Sequence, residues 1–205
     1  MTTPDLYAYA PPPGGLPVKL SGRRSPGWWG MLWFCATEAM LFACFIASYF
    51  YLRGNFEAFG AEGGKYPPII LTLPMTVILL ASSVSNWWGE RGIKQGNQLQ
   101  LRIGLAVTFL LGLTFLIMQG FEYHDKPFGP TVSAYDSVFY TTTAFHGAHV
   151  AIGLLMNLYV QFRAWLGHFT AERHLAVENA GLYWHFVDVV WLFIFSSLYI
   201  SPRLW

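Results

Sequence analysis

Five long apolar runs set the pattern of this chain, and short polar stretches separate them. They span Trp28 to Leu52, Ile69 to Trp88, Ile103 to Phe121, Val138 to Phe162 and Tyr183 to Ile200. Each is close to the ~20 residues that cross a hydrocarbon layer about 30 Å thick. Lipid offers nothing to a backbone N–H or C=O, so a crossing segment must pair its own groups, and the runs are predicted to be helices. Barrel strands fit poorly, because the runs are continuous rather than alternating and far longer than ~10 residues. The pattern therefore predicts an all-α, polytopic membrane protein: a bundle of five transmembrane helices. Pro74 is the one residue that could break a span, and it lies near an end.

Residues 1–26 read as a polar, Pro-rich N-terminal arm and residues 27–205 as the five-helix transmembrane domain. Pro11-Pro12-Pro13-Gly14-Gly15 cannot be helical, so the arm is expected to be extended, with a partner surface to lie on. The first run does not read as a signal peptide. It is too long, follows a polar leader, carries Glu38 in its middle and lacks a small-residue cleavage site. No repeat of 20–50 residues is visible.

Composition agrees with burial in lipid. Charged residues make up 11% of the chain, against about 25% in a soluble domain. Hydrophobic residues make up 54% and aromatics 18%, more apolar surface than a soluble chain of 205 residues could hide. The net charge of +1 supplies no basic field, so no nucleic-acid partner is expected. Cys35 and Cys44 share one run. Nine residues of helix span about 13 Å, beyond the roughly 7 Å a disulfide tolerates between Cα atoms. A disulfide framework and a Cys-based zinc site are excluded by count and spacing.

Charge also sets an orientation. The leader (Lys19, Arg23, Arg24), the second loop (Arg91, Lys94, Arg102) and the fourth loop (Arg163, Arg173) carry eight of the 12 Lys and Arg residues. The other side holds Arg53, Lys65, Lys126 and Arg203, diluted by Glu57, Glu62, Glu122, Asp125 and Asp136. The basic excess belongs inside, which predicts a cytoplasmic N-terminus and an outer C-terminus. Trp28, Trp29, Trp87, Trp88, Trp165 and Trp205 lie near run ends, where an aromatic belt would sit. Ala81, Ser82, Ser83 and Ser85 in the second run, and Thr141 to Gly153 in the fourth, are small enough for close helix approach.

The candidate chemistry lies in ionisable residues at bilayer depth, each costly there by roughly 2.5–3.5 kcal/mol on insertion scales. They are Glu38, His146, His149, His185 and Asp188, with Glu122, Glu178 and Arg163 at run ends. Glu38 reads either as a proton-handling carboxyl or anchor to a partner, or as a carboxyl bonded to a neighbouring helix. His146 and His149 are three apart, on one helical face, as are His185 and Asp188. Metal or haem ligation and interhelical hydrogen bonding both fit these pairs. No further Glu-x-x-His or Cys motif completes a ligand set, which favours a buried polar network. Arg163 reads as a phospholipid-phosphate ligand or as ordinary snorkelling at the interface. No GxGxxG, P-loop, GxSxG or HExxH motif is present. A complex subunit and a proton-coupled membrane carrier both remain open, and the absence of a mid-span helix breaker favours the subunit.

Several stretches resemble one family, subunit III of haem–copper oxidases. They are Tyr183-Trp184-His185-Phe186-Val187-Asp188-Val189-Val190-Trp191-Leu192-Phe193, Phe145-His146-Gly147-Ala148-His149-Val150, Thr37-Glu38-Ala39-Met40-Leu41-Phe42 and Gln119-Gly120-Phe121-Glu122-Tyr123. Ala81-Ser82-Ser83-Val84-Ser85 also fits, and the likeness covers roughly Trp28 to Ile200. Longer members have seven helices, and this chain resembles the short bacterial form without the first two.

The resemblance implies a non-catalytic subunit with no metal or cofactor of its own, the haems and copper lying in partner subunits. It implies packing on oxidase subunit I, with subunit II in the same complex and other respiratory subunits as further partners. It also implies bound phospholipid at Arg163, a bacterial inner-membrane location, and a part in oxygen reduction and proton pumping. Glu38 would then face subunit I, and Glu178, His168 and His174 would help collect protons, imidazole having a suitable unperturbed pKa near 6.5. A quinol-oxidase subunit III and a nitric-oxide-reductase accessory protein are alternatives of the same fold.

Overall fold

The computed structural model describes residues 25–55, 69–124 and 133–204. Most of the Pro-rich arm, the loop charges Glu57, Glu62, Lys65, Asp125 and Lys126, and Trp205 lie outside the described residues.

Five long helices correspond to the five runs: α1 (Pro26–Asn55), α2 (Ile69–Lys94), α3 (Gln98–His124), α4 (Ala134–Trp165) and α5 (Leu175–Ile194). All five are long and apolar enough to cross a membrane, and no strand occurs among the described residues. The helices outrun the apolar runs because capping chemistry, not hydropathy, ends them. Ser25 accepts from the Trp28 amide at 3.3 Å, with Pro26 at the first helical position. Gly96, at φ 79°, turns α2 toward α3, and Asn97 Oδ1 then accepts from the Gln100 amide at 3.1 Å. Gly167, at φ 75°, ends the turn after α4. Pro74 sits within the early turns of α2, and the helix runs on through it. The largest shift is at α5, which begins at Leu175 rather than Tyr183 and so brings Glu178 onto the helix.

α5 is the hub. It packs on α1, α2 and α4, while α2 pairs with α3 and α3 with α4. Of the apolar window of α5, 56% is buried, against 11% for α1, so α1 is the flank and α5 the centre. Trp184 explains why α5 is held there. Its ring lies where a Cβ on Gly112 of α3 would be 2.5 Å away and one on Gly153 of α4 2.9 Å away. Its Nε1–H donates to Ser82 Oγ of α2 at 2.9 Å, so one side chain touches three helices. One turn on from Val187, Trp191 donates to Thr76 Oγ1 at 2.9 Å.

Past Ile194 the chain widens into a π turn over Phe195–Ile200 and a 3-10 turn over Ser201–Arg203. The wider turn keeps Phe195, Leu198 and Tyr199 all buried. Side chains satisfy the displaced carbonyls: Tyr135 donates to Leu198 O at 3.0 Å, Arg53 to Ser201 O at 3.2 Å, and Arg203 to Tyr199 O.

The two ends of the bundle differ. The start of α1, the α2–α3 turn, the end of α4 and the start of α5 share one end, tied by Asn179 Nδ2 donating to Gly27 O and Arg102 donating to Ala164 O. Arg91, Lys94, Arg102, Arg163 and Arg173 gather there with Trp28, Trp29, Trp87, Trp88 and Trp165. Arg91 lies 5.4 Å over Trp87 and Arg102 5.1 Å over Trp165.

Candidate functional site

The buried polar residues fall into separate sets, each bridging particular helices, rather than into one network. Glu38 of α1 meets His149 of α4, with His149 Nε2 3.1 Å from Glu38 Oε2. His149 Nδ1 lies 2.7 Å from the Phe145 carbonyl. A carbonyl only accepts, so Nδ1 carries a hydrogen. Nε2 then either accepts from a protonated Glu38 or donates to an ionised one. Both arrangements hold a single proton on the line between the two atoms and are neutral overall. That neutrality is what lets a carboxyl sit here, since neither form leaves an uncompensated charge in the membrane.

His146, three residues earlier, does not join this pair. It is buried with neither ring nitrogen hydrogen-bonded. Trp191 stacks on it at 5.0 Å, and Phe115 and Phe42 meet it edge-on at 5.9 and 6.2 Å. His185 instead pairs across to α2, its Nδ1 2.5 Å from Ser83 Oγ. Asp188 is buried beside them, and neither of its oxygens makes a hydrogen bond. At the other end Glu122 accepts from Tyr199 at 3.1 Å and from Gln119 Nε2 at 3.0 Å, which clamps α3 to the π turn. Among the described residues, no three His, Cys, Asp or Glu side chains converge in a metal-ligand arrangement.

At the basic end the structure brings His174 and Glu178 together and adds Lys94, which in the sequence is only a loop charge, and Glu90, which hydropathy does not single out. His174 Nε2 lies 3.3 Å from Glu178 Oε1, outside hydrogen-bond geometry, and Lys94 Nζ lies 3.9 Å from the same oxygen. Lys94 also pairs with Glu90. Glu90 faces Gly181 of α5, where a Cβ would lie 2.9 Å from its Oε2. Hydropathy ended the second run at Trp88, which hid Glu90 in an apparent loop. The i, i+4 spacings Asn86–Glu90 and Glu90–Lys94 were the available signal. Asp136 was likewise counted as a loop acid. It is buried, with Ser133 Oγ donating to its Oδ2 at 2.7 Å and accepting from its amide at 3.1 Å. The Ser-x-x-Asp spacing before an apolar run announced that cap.

His168 is exposed and apart from these sets. Arg163 is half-buried, donates to Tyr159 OH at 2.9 Å and lies 5.7 Å over the Tyr159 ring. Next to it, Met31, Leu155, Met156, Tyr159, Ala180 and neighbours line an open apolar groove of about 460 Å³.

These sets lie on α1 to α5 without a gap, and a model of the family described as cytochrome c oxidase subunit III matches residues 25–202. The chain belongs to the cytochrome c oxidase subunit III family. It is 39% identical over 178 aligned residues to a cytochrome c oxidase subunit 3 of Pylaiella littoralis, the match covering 83% of this chain and 65% of that relative. It is 40% identical over 188 residues to a Rickettsia felis protein named "Probable cytochrome c oxidase subunit 3", covering 83% of this chain and 67% of that one. The human cytochrome c oxidase subunit 3 is 37% identical over 179 residues, covering 83% and 68%. The chain thus spans about two thirds of the length of the curated relatives it matches. This subunit III chain is a multi-pass membrane protein, and Glu38, His149, His185, Asp188 and Glu122 all fall within the matched residues.

The pairing of Glu38 with His149 has a measurable consequence. Glu38→Gln keeps a donor for Nε2, whereas Glu38→Ala leaves the imidazole alone. A double-mutant cycle of Glu38→Ala and His149→Ala, read by unfolding in detergent, is expected to give a coupling of about 0.6–1.7 kcal/mol, the range such cycles give for helix–helix hydrogen bonds in membranes. Strict additivity would mean that the two side chains do not meet in the folded chain.

Proposed function

We propose that this chain is the non-redox subunit III of a haem–copper terminal oxidase in a bacterial inner membrane. It would pack on the haem- and copper-bearing subunit I, in a complex with subunit II, and take part in oxygen reduction and proton pumping without touching oxygen. Membership of the family, together with ionisable residues that join its own helices in pairs, carries this reading. Positive charge gathers at the end shared by the α1 and α5 N-termini, which supports a cytoplasmic N-terminus.

Within that reading the basic end has a specific task. Glu90, Lys94, His174 and Glu178 form a titratable cluster at the membrane edge, and His168 is exposed apart from it. Groups of this kind can pick up protons from water and pass them along a surface. Glu38 and His149, further along the bundle, hold one proton between them. Arg163, with Tyr159 and the adjoining apolar groove, offers a phosphate-binding donor beside space for acyl chains, and so supports phospholipid binding there.

Co-purification tests the central claim. Tagged protein extracted from its native membrane in a mild detergent is expected to bring down a larger polypeptide that carries the Soret absorbance, while the separated chain shows none. If the chain elutes without any haem-bearing partner, the subunit reading fails. In the assembled complex, Glu38→Ala is expected to leave oxygen reduction largely intact and to alter stability or proton uptake. Loss of all oxygen reduction in a fully assembled variant would contradict a non-catalytic role.

A further inference from the structure

The seam between α2 and α5 carries polar residues turn after turn, from the basic end toward the middle of the bundle. On α5 they are His174, Glu178, His185 and Asp188, with Gly181 between, at steps of four and three residues that keep to one helical face. From His174 to Asp188 this line covers about 21 Å of helix axis. On α2 the matching line is Lys94, Glu90, Asn86 and Ser83, again at steps of four and three. The two lines meet at each level. Lys94 Nζ and His174 Nε2 lie 3.9 and 3.3 Å from Glu178 Oε1. A Cβ on Gly181 would lie 2.9 Å from Glu90 Oε2 and 3.2 Å from Asn86 Nδ2, so a glycine is what lets both side chains reach α5. Deeper in, His185 Nδ1 is 2.5 Å from Ser83 Oγ, and Asp188 follows one turn later on α5.

The seam holds polar atoms that the protein does not satisfy. Asn86 Nδ2, His174 Nε2 and both oxygens of Asp188 are buried there without a hydrogen bond among the described residues. Asn86 is 4% exposed and Asp188 3%. Ionised or neutral, the Asp188 carboxyl needs partners, and no described side chain supplies one. Buried polar atoms are paired with protein or with ordered water, and ionisable groups at bilayer depth face the bundle interior or a water-filled space. Bulk water has an entry at the basic end, where the Lys94 side chain is 47% exposed and that of Glu90 17%. The opposite end is closed to charge. No Asp, Glu, His, Lys or Arg lies between Asp188 and Arg203, or on α2 before Glu90. Trp191, Ile194 and Phe195 are buried beyond Asp188.

We propose that the α2–α5 seam is a hydrated, dead-ended proton path, in which water admitted beside Lys94 and His174 links Glu90, Glu178 and His185 to Asp188, the group that takes up and returns one proton. The net step moves a proton from hydronium at the basic end to the Asp188 carboxylate. It leaves water and a carboxylic acid, and no other bond and no electron is involved. This goes beyond proton collection at the membrane edge, because the proton enters the membrane. It is separate from the proton held by Glu38 and His149, and it does not depend on which polypeptides accompany the chain.

Infrared spectroscopy of the intact protein, with whatever partners a mild detergent retains, tests the path. The difference between parent and Asp188→Asn isolates the Asp188 carboxyl. Where that variant does not accumulate, Asp188→Glu makes the assignment, since it keeps the acid and displaces its band. After mixing into mildly acidic heavy water, the Asp188 acid band is expected in its deuterated form within seconds. Gly181→Val sets a side chain against Glu90 and Asn86, and Glu90→Leu removes the carboxyl at the entrance. Either is expected to slow deuteration about tenfold or more, because exchange then waits for the helices to part. Gly120→Val is the control and keeps the parent rate, as nothing lies within 4 Å of a Cβ at that position. Slowing in either seam variant, with the control unchanged, supports the path. An Asp188 carboxyl that keeps its hydrogen for hours, or never protonates in acid, shows a seam that is dry or filled by another side chain, and overturns the proposal. Deuteration at the parent rate in both Gly181→Val and Glu90→Leu overturns it too, because water then reaches Asp188 by another way.

Discussion

Gly104→Leu is expected to leave almost no folded chain in the membrane. A Cβ at position 104 would lie 2.6 Å from the Cα of Gly89, 2.9 Å from its amide nitrogen and 2.9 Å from the Ser85 carbonyl oxygen. All three are backbone atoms of α2, so no side chain can swing aside to make room. α3 would have to move away from α2, which breaks the Ser85 Oγ donation to Gly104 O at 3.0 Å and that of Thr108 to Ser82 O at 3.2 Å. Overpacking in a core usually costs 1–3 kcal/mol, with room to relax; here the obstacle is the helix itself, and the cost should lie at or above about 3 kcal/mol. Gly120 is the control, because nothing lies within 4 Å of a Cβ built there. Gly120→Ala should accumulate normally and unfold in detergent at or slightly above the parent temperature. Parent-like accumulation of Gly104→Leu would show that α2 and α3 do not cross this closely.

Trp184→Ala is expected to be the most damaging truncation. The indole fills the space between Gly112, Gly153 and Leu154 and is 2% exposed, so removing it opens a cavity where three helices meet. Losses of 3–5 kcal/mol are typical when a buried aromatic is cut to alanine. The packing part of that loss survives in lipid, because a void has no contact partners whatever the solvent outside. Trp184→Phe separates shape from hydrogen bonding. It keeps much of the ring and removes only the donor to Ser82, so a penalty of about 1 kcal/mol is expected. Thermal unfolding of the purified chain in detergent reads both, and a Trp184→Ala loss no larger than that of Trp184→Phe would remove Trp184 from the centre of the bundle. Placing the keystone on α5 also explains why α5 is the most buried of the five spans.

The chemistry of single residues was readable in the chain, and its pairing was not. The Ser133-x-x-Asp136 cap and the Gly96 and Gly167 helix stops are local signals, contained within four or five residues. Glu38 and His149 are 111 residues apart, and Tyr199 and Glu122 are 77 apart. No periodicity connects them. His146 and His149 share a helical face and a motif, yet one is enclosed in aromatic rings and the other carries the pair with Glu38. That division depends on the rotation of α1 and α5 about α4. Glu90, and the place of Glu178 on α5, were hidden for a different reason: the apolar runs stop at the lipid boundary, while the helices continue until a cap ends them.

The number of crossings, their helical state and the charged end were determined by the sequence alone, because lipid acts on each segment separately and asks only whether it is apolar and long enough. Which helices touch, which carboxyl meets which imidazole, and which face of α5 stays open were decided only by tertiary structure. Lipid is as apolar as the side chains, so hydropathy cannot select one neighbour over another. That choice falls to close contacts, such as Trp184 against two glycines and Gly104 against Gly89, whose partners lie far apart along the chain.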